Sequence, residues 1–429
     1  MHPLQEKVLP LDKTYRRLES LFPKPYDKNE TLPYTKTRLI LLCGAEYEAI
    51  WFSHRFHRCC DNQEIRRTLS GIRRGEMMQQ KILSMLKPKS ESQLETTISY
   101  EQLAVDLTAE LAMREKDEYV KAALDFALLE DFDHLYRYAD LLESDMGIRA
   151  ENLVGGYTEI MPGRPTVAHP RHPYDDVKFP ADKEKATLES KLAVCIITAA
   201  EQQTMNYYMN LAAFYPTQRG RELFTEIGMI EEQHVTQYGG LGIPNMTFLE
   251  QLVMHEYSEC YLYYSAIHEE KDERLKALFA DFYEIERTHF ALAVDMLKKY
   301  EKKEPECVLG KNFNYPKPLA LRSHVDYVRD VLKTVNLTAN RESYAEVCAL
   351  KPNHDFFRYQ KAVVGTGKNA PSHRVIEEYI AEKGKDYRFM LKEHPIPALS
   401  SRKEDNFTLA RTCENPKEAT NKKESQKES

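Results

Sequence analysis

No run of about 18 apolar residues occurs in the chain, which leaves no candidate for a membrane-spanning helix. The N-terminus, Met-His-Pro-Leu-Gln-Glu-Lys, also lacks the basic-then-apolar order of a secretion signal, so the expectation is a cytoplasmic protein. Basic surplus is missing too. A net charge of -7 offers no electrostatic footprint for nucleic acid, and neither nucleic acid nor membrane is expected as a partner. Eight cysteines are scattered without a Cys-x-x-Cys pair, which excludes a zinc knuckle or a rubredoxin-type iron site and reads as reduced, mostly buried thiols. Tryptophan is nearly absent. The one present, Trp51, sits in an apolar helical pattern and is expected in the core.

What is present is a helix-leaning composition, 42% hydrophobic and 30% charged, in 429 residues, enough for two or three cores. Residues 1–35 carry five prolines and read as an extended N-terminal segment. Helices are predicted over 36–60, 63–86, 99–117 and 118–144, with Ser92 or Ser99 as cap of the third. Residues 146–186, with glycine pairs and five prolines, read as a long surface linker. Four more helices follow near 187–214, 219–238, 247–269 and 272–301, with Thr247 and Glu250 as a capping box. Beyond lies a C-terminal extension, 302–400, irregular with helical pieces near 323–335 and 373–383. A tail, 401–429, is too polar to order itself.

Two stretches place a carboxylate three residues before a histidine, Glu231-Glu-Gln-His234 and Glu286-Arg-Thr-His289. Three residues turn a helix by about 300°, so both side chains share a face. Glu201 lies on the helix before the first pair, Glu256 and Glu259 on the helix before the second. Together these seven are the side-chain set of a di-iron or di-manganese site in a helix bundle. Single Glu-x-x-His matches arise by chance in a chain this rich in glutamate. Their order, carboxylate, pair, carboxylate, pair, is what carries weight.

An offset of 155 residues strengthens the pattern. It places Glu201, Glu231, Glu256 and His289 on Glu46, Glu76, Glu101 and His134, and Glu286 on Asp131. The EKDE at 270–273 falls on the EKDE at 115–118. Only His234, matched by Gln79, and Glu259, matched by Ala104, lack a ligating counterpart. The chain therefore reads as an internal duplication of a four-helix unit: 36–145, with Glu46, Glu76, Glu101, Asp131 and His134 as a poorer metal site, and 187–301, with the full set. Glu226, Glu232, Glu250, Glu269 and Glu270 read as a solvated face. His54 and His57 read as ordinary core or surface histidines, and His169, His172, His324, His354, His373 and His394 lack a helical partner.

The stretches AAEQQTMNYYMNLAAF, EEQH, HEYSECYLYY and EIERTH resemble rubrerythrins and, more broadly, the ferritin-like di-iron carboxylate proteins. The resemblance covers about 187–300 well and 36–145 weakly. It implies an all-α fold of two ferritin-like four-helix bundles, with Glu259 as a mobile extra ligand taking part in catalysis. Tyr263, within a cluster of Tyr207, Tyr208, Tyr257 and Tyr264, is a candidate relay for electrons or protons. Rubrerythrins commonly carry a Cys₄ rubredoxin module, and this chain has none. The implied activity is reduction of hydrogen peroxide or dioxygen, with electrons from an external donor such as a rubredoxin-like protein or a reductase; a homodimer is compatible with it. Ferroxidase or iron storage, and a metal-stapled structural bundle without catalysis, are the alternatives. Iron suits the ligands, and manganese is the second choice.

One conflict concerns topology. In ferritin-like bundles the second and third helices run parallel, yet the predicted loop between 238 and 247 barely spans the return. Either 36–145 and 187–301 each close as a bundle with a strained return, or the helix pairs exchange, 36–86 joining 247–301 and 187–238 joining 99–144.

Overall fold

The computed structural model describes residues 2–399 apart from 6, 184, 366, 389–393 and 397–398, so the tail read as disordered at 401–429 lies outside the described residues. The helices are α1 Pro33–Cys59, α2 Gln63–Leu86, α3 Gln93–Arg114, α4 Glu118–Met146, the short α5 Ala150–Leu153 and α6 Pro173–Asp176, then α7 Leu188–Ala212, α8 Gln218–Gly240, α9 Phe248–Glu269 and α10 Glu273–Met296. After α10 come α11 Glu306–Leu309, α12 Val325–Val331, α13 Asp355–Val363 and α14 Pro371–Lys383. Among the described residues the strands are one antiparallel hairpin, β1 Leu337–Asn340 with β2 Ser343–Glu346.

Local sequence accounts for the helix starts. Asn62, Ser92, Asp117, Thr187, Thr217, Thr247 and Asp272 each accept a hydrogen bond from the first turn of the helix that follows. Ser92, rather than Ser99, caps α3, in a capping box with Glu95. The repeated EKDE is explained by the same chemistry, since its aspartates, Asp117 and Asp272, are the caps of α4 and α10.

The long helices form four hairpins, α1–α2, α3–α4, α7–α8 and α9–α10. Across hairpins, α1 packs on α9 and α2 on α10, while α3 packs on α7 and α4 on α8. Each bundle thus takes one hairpin from either half of the chain. Residues 36–145 and 187–301 do not close separately, which corrects the simpler unit reading; the exchange spares residues 241–247 the return along a bundle. The bundles meet where α1 lies against α3 and α7. That seam explains the run of four consecutive apolar residues in α1: Leu39, Ile40, Leu41 and Leu42 are all buried, each contributing about 1.5–3 kcal/mol.

Further sequence expectations fail: the cysteines are not mostly buried, since of the seven described only Cys43 and Cys260 are. Trp51 is 53% exposed, because it lies on the solvent face of α1 beyond the seam. Glu250 and Glu270 are buried rather than solvated. Glu250 is held by the α9 cap, Lys183 and Lys303, while Glu270 pairs with Arg38 at 3.0 Å. The segment read as a surface linker is buried from 160 to 170. It tucks in because Arg137 of α4 donates to the Arg164 carbonyl at 2.8 Å and to Thr166 at 3.1 Å, satisfying backbone that lacks secondary structure. α12 and α14 then cover the outer side of α4, and Arg388 meets Asp140 at 2.6 Å.

Candidate metal centre

The exchanged hairpins bring the carboxylates and histidines into two buried clusters, one per bundle. The first draws on α1, α2, α9 and α10, with Glu46, Glu76, Glu256, Glu259, Glu286 and His289, each at most 2% exposed. His289 Nδ1 lies 2.8 Å from Glu76, 3.3 Å from Glu286 and 3.9 Å from Glu256. The second draws on α3, α4, α7 and α8, with Glu101, Asp131, His134, Glu201, Glu231 and His234. His234 Nδ1 lies 3.2 Å from Asp131, 3.2 Å from Glu231 and 3.9 Å from Glu201, and His134 Nδ1 lies 3.1 Å from Glu231.

Every metal-ligand candidate read from the sequence therefore faces one of the clusters, but the membership differs from the 187–301 set. Glu231 with His234 and Glu286 with His289 lie in separate clusters, so they do not serve one point. The two histidines of the second cluster come from opposite halves of the chain. The first cluster has one histidine and an extra glutamate, Glu259. In it, Gln79 takes the place that His234 holds in the other, and its amide donates to Glu46 at 3.0 Å and Glu286 at 2.7 Å.

Within each cluster the potential donors form two overlapping groups, each with its donor atoms inside 4.8 Å of one another. Glu76, Glu256, Glu286 and His289 make one group, and Glu46, Glu76 and Glu259 the next. In the other bundle, Asp131, Glu201, Glu231 and His234 adjoin Glu101, His134 and Glu231. One glutamate is common to both groups each time. Glu76 and Glu231 are the pair related by the offset of 155, so the same position is shared by two donor groups in both bundles.

The buried acids are short of partners. Both oxygens of Glu259, Oε2 of Glu46, Oε2 of Glu101 and Oε1 of Glu201 accept no hydrogen bond. A buried carboxylate left ionised and unpaired is costly. Burial, then the charges of neighbouring carboxylates, holds Glu46, Glu101, Glu256 and Glu259 well above the usual carboxylate range. The same causes put Asp131 and Glu201 at about 7. Burial opposes charge on His234 and His289, but the carboxylates around them override it and raise both well above 6.5. Burial and the nearby His234 lower His134 to about 4. In the metal-free chain protons balance the acids, and divalent cations fit the same vacancies of charge.

Tyrosines close each cluster. Tyr263 donates to Glu46, and Tyr208 donates to Glu101 at 2.6 Å. Each stands seven residues after a cluster glutamate, Glu256 or Glu201, and reaches the glutamate of the facing helix. Tyr207 and Tyr257 instead bond the Gln93 and Phe313 carbonyls, and Tyr264 stacks on Tyr315.

Sequence reasoning missed the supporting residues. Glu130, next to Asp131, lies 3.0 Å from His234 Nε2 and is itself held by Arg171 at 2.6 Å, turning His234 Nδ1 toward the carboxylates. Burial opposes ionisation of Glu130, but Arg171, His234 and Arg164 hold it far below the usual range. Arg164 and Arg171 come from the supposed linker, whose arginines among prolines carried the only hint. His169 is buried beside His134, with ring centroids 5.4 Å apart, and meets Asp133 at 3.0 Å. Gly75 leaves room for the His289 ring, where a Cβ would stand 2.9 Å from its Nε2.

No family model matches the chain, nor does any curated protein or solved structure. No helix among the described residues is long and apolar enough to cross a membrane.

Proposed function

We propose that the chain is a ferritin-like oxidoreductase of rubrerythrin type that reduces hydrogen peroxide or dioxygen at di-iron, or di-manganese, centres with electrons from an external donor. The observation that carries the reading is the shared glutamate: in each bundle two donor groups overlap at one residue, Glu76 or Glu231. A mere staple needs one position per bundle, whereas paired positions bridged by a carboxylate suit two ions acting on one substrate. Oxygen-rich donors with few nitrogens favour iron or manganese over zinc. The offset of 155, which superposes cluster on cluster, supports an internal duplication.

A pair of ions held there would supply two electrons together. The chain supplies the rest. Glu76 and Glu231 hold both positions, and His289, His234 and His134 complete them. Tyr263 and Tyr208 hold a proton beside Glu46 and Glu101. Glu259, with both oxygens unpartnered, is the carboxylate freest to change its contacts. Burial of every ligand keeps bulk water away from the reaction. Electrons come from outside, because the cysteines offer no Cys-x-x-Cys pair.

Stopped-flow mixing of the anaerobically iron-loaded protein with peroxide and with dioxygen tests this. Faster reaction with peroxide supports the peroxidase reading. Uptake well beyond the four donor groups would indicate iron storage, and no reaction with either oxidant would leave a structural role.

A further inference from the structure

A cavity of about 670 Å³ is lined by residues of α1, α7 and α9, helices that meet at the seam between the bundles. Its wall is more apolar than polar: Phe52, Val177, Val194 and Met254 are among the lining residues, and the charged Arg55, Asp117, Lys178 and Lys191 also line it. Into this wall are set three side chains from three helices: Cys195 of α7, His255 of α9 and Glu48 of α1. Cys195 Sγ lies 4.0 Å from His255 Nδ1, and His255 Nε2 lies 2.7 Å from Glu48 Oε2. The imidazole is only 8% exposed and packs on the Phe52 ring, with centroids 5.2 Å apart.

Helix geometry sets these residues off the face that carries the metal-ligand candidates. Cys195 is six residues before Glu201, His255 one before Glu256 and Glu48 two after Glu46. At about 100° per residue each is turned off the ligand face. Their line, thiol to imidazole to carboxylate, is the layout of an oriented sulfur nucleophile. The other described cysteines lack it. Cys43 and Cys260 are buried, Cys60 is half-buried, and Cys59, Cys307 and Cys348 are exposed; none of these lines the cavity.

We propose that Cys195 is a nucleophilic thiol and that the cavity binds a small apolar disulfide with which it exchanges. Cys195 Sγ attacks one sulfur of the bound disulfide, forming a mixed disulfide. The S–S bond of the ligand breaks, and the thiol proton leaves with the departing sulfur as a free thiol. No outside oxidant is needed, because the ligand's own disulfide is reduced as the new one forms. His255, fixed by Glu48, holds the sulfur at the cavity wall, and the apolar lining selects the ligand.

The test uses the full chain and a limiting amount of dithiodipyridine, a flat apolar disulfide, with peptide mass mapping of each cysteine over time. Cys195 is expected to react roughly tenfold faster than Cys59, Cys307 or Cys348, because binding in the cavity raises its effective concentration of disulfide. Equal or faster reaction at the exposed cysteines overturns the proposal. Glutathione disulfide, polar and charged, is expected to lose the preference for Cys195; if it keeps it, selection by the apolar cavity is wrong. Cys195→Ser with unchanged melting is expected to remove the fast phase, and a fast phase that persists overturns the assignment. None of these readouts depends on bound metal, so failure here leaves the oxidoreductase reading untouched.

Discussion

Gly75 separates the two centres most sharply at the level of single residues. His289 lies over it so closely that an added Cβ would overlap the ring, while Ile230 stands at the matching position in the other bundle. Gly75→Ala should push His289 off its carboxylates and weaken metal binding in that bundle by roughly 10–100-fold, with the other centre unchanged. Titration of iron into the metal-free variant, resolved into two classes of site, checks this. Glu130 is the counterpart test. Glu130→Gln keeps the shape but removes the charge that orients His234, so the opposite class of site should lose a similar roughly 10–100-fold in affinity. If either substitution weakens both classes equally, the two clusters are not independent.

Most ligand positions were legible in the sequence, because three-residue spacing and the offset of 155 act on residues one by one. Gly75, Glu130 and Arg171 were not. Each matters through a contact with a residue far away in the chain, and no local pattern marks such a contact.

Among the helices, the hairpins were legible and their partners were not. Caps and prolines set the ends of α1–α4 and α7–α10 to within a few residues, except that α3 starts earlier, at Ser92. Pairing between hairpins depends on how far a seven-residue loop must reach, and chain arithmetic left both arrangements open. The buried strap at 160–170 was missed for a related reason. Prolines and absent periodicity mark it as irregular, but its burial follows from Arg137, Asp133 and Glu130 of α4 taking up its polar groups. The exchange has a direct consequence. A fragment of residues 187–301 retains Glu201, Glu231 and His234 but lacks Glu101, Asp131 and His134, so it should bind no bridged pair of ions. Coexpression with residues 1–146 should restore binding. A fragment that binds metal alone as the full chain does would contradict the exchange.

For the molecule as a whole, the cluster acids that burial and like charge raise couple stability to pH in a direction opposite to that of a salt-bridged protein. Asp131 and Glu201 sit at about 7 in the folded metal-free chain, against about 4 in an unfolded one. The folded state therefore binds more protons. The stability these groups support is full below about pH 4 and is lost as pH rises through about 7. The raised His234 and His289 act in the same direction, since they hold protons when folded that an unfolded chain releases. Metal-free protein should melt at a lower temperature at about pH 8 than at about pH 5.5, and divalent metal should reverse that order, because ligands bind it only when deprotonated. Melting curves with and without Fe(II) under anaerobic conditions read this out.

The proposed function requires each bundle to hold a pair of ions that share one glutamate. Anomalous diffraction from crystals of the anaerobically iron-loaded protein tests it most directly. Two pairs of iron peaks are expected, one pair flanking Glu76 among α1, α2, α9 and α10, the other flanking Glu231 among α3, α4, α7 and α8. A single pair ligated by both His234 and His289, or no iron at either glutamate, would contradict it.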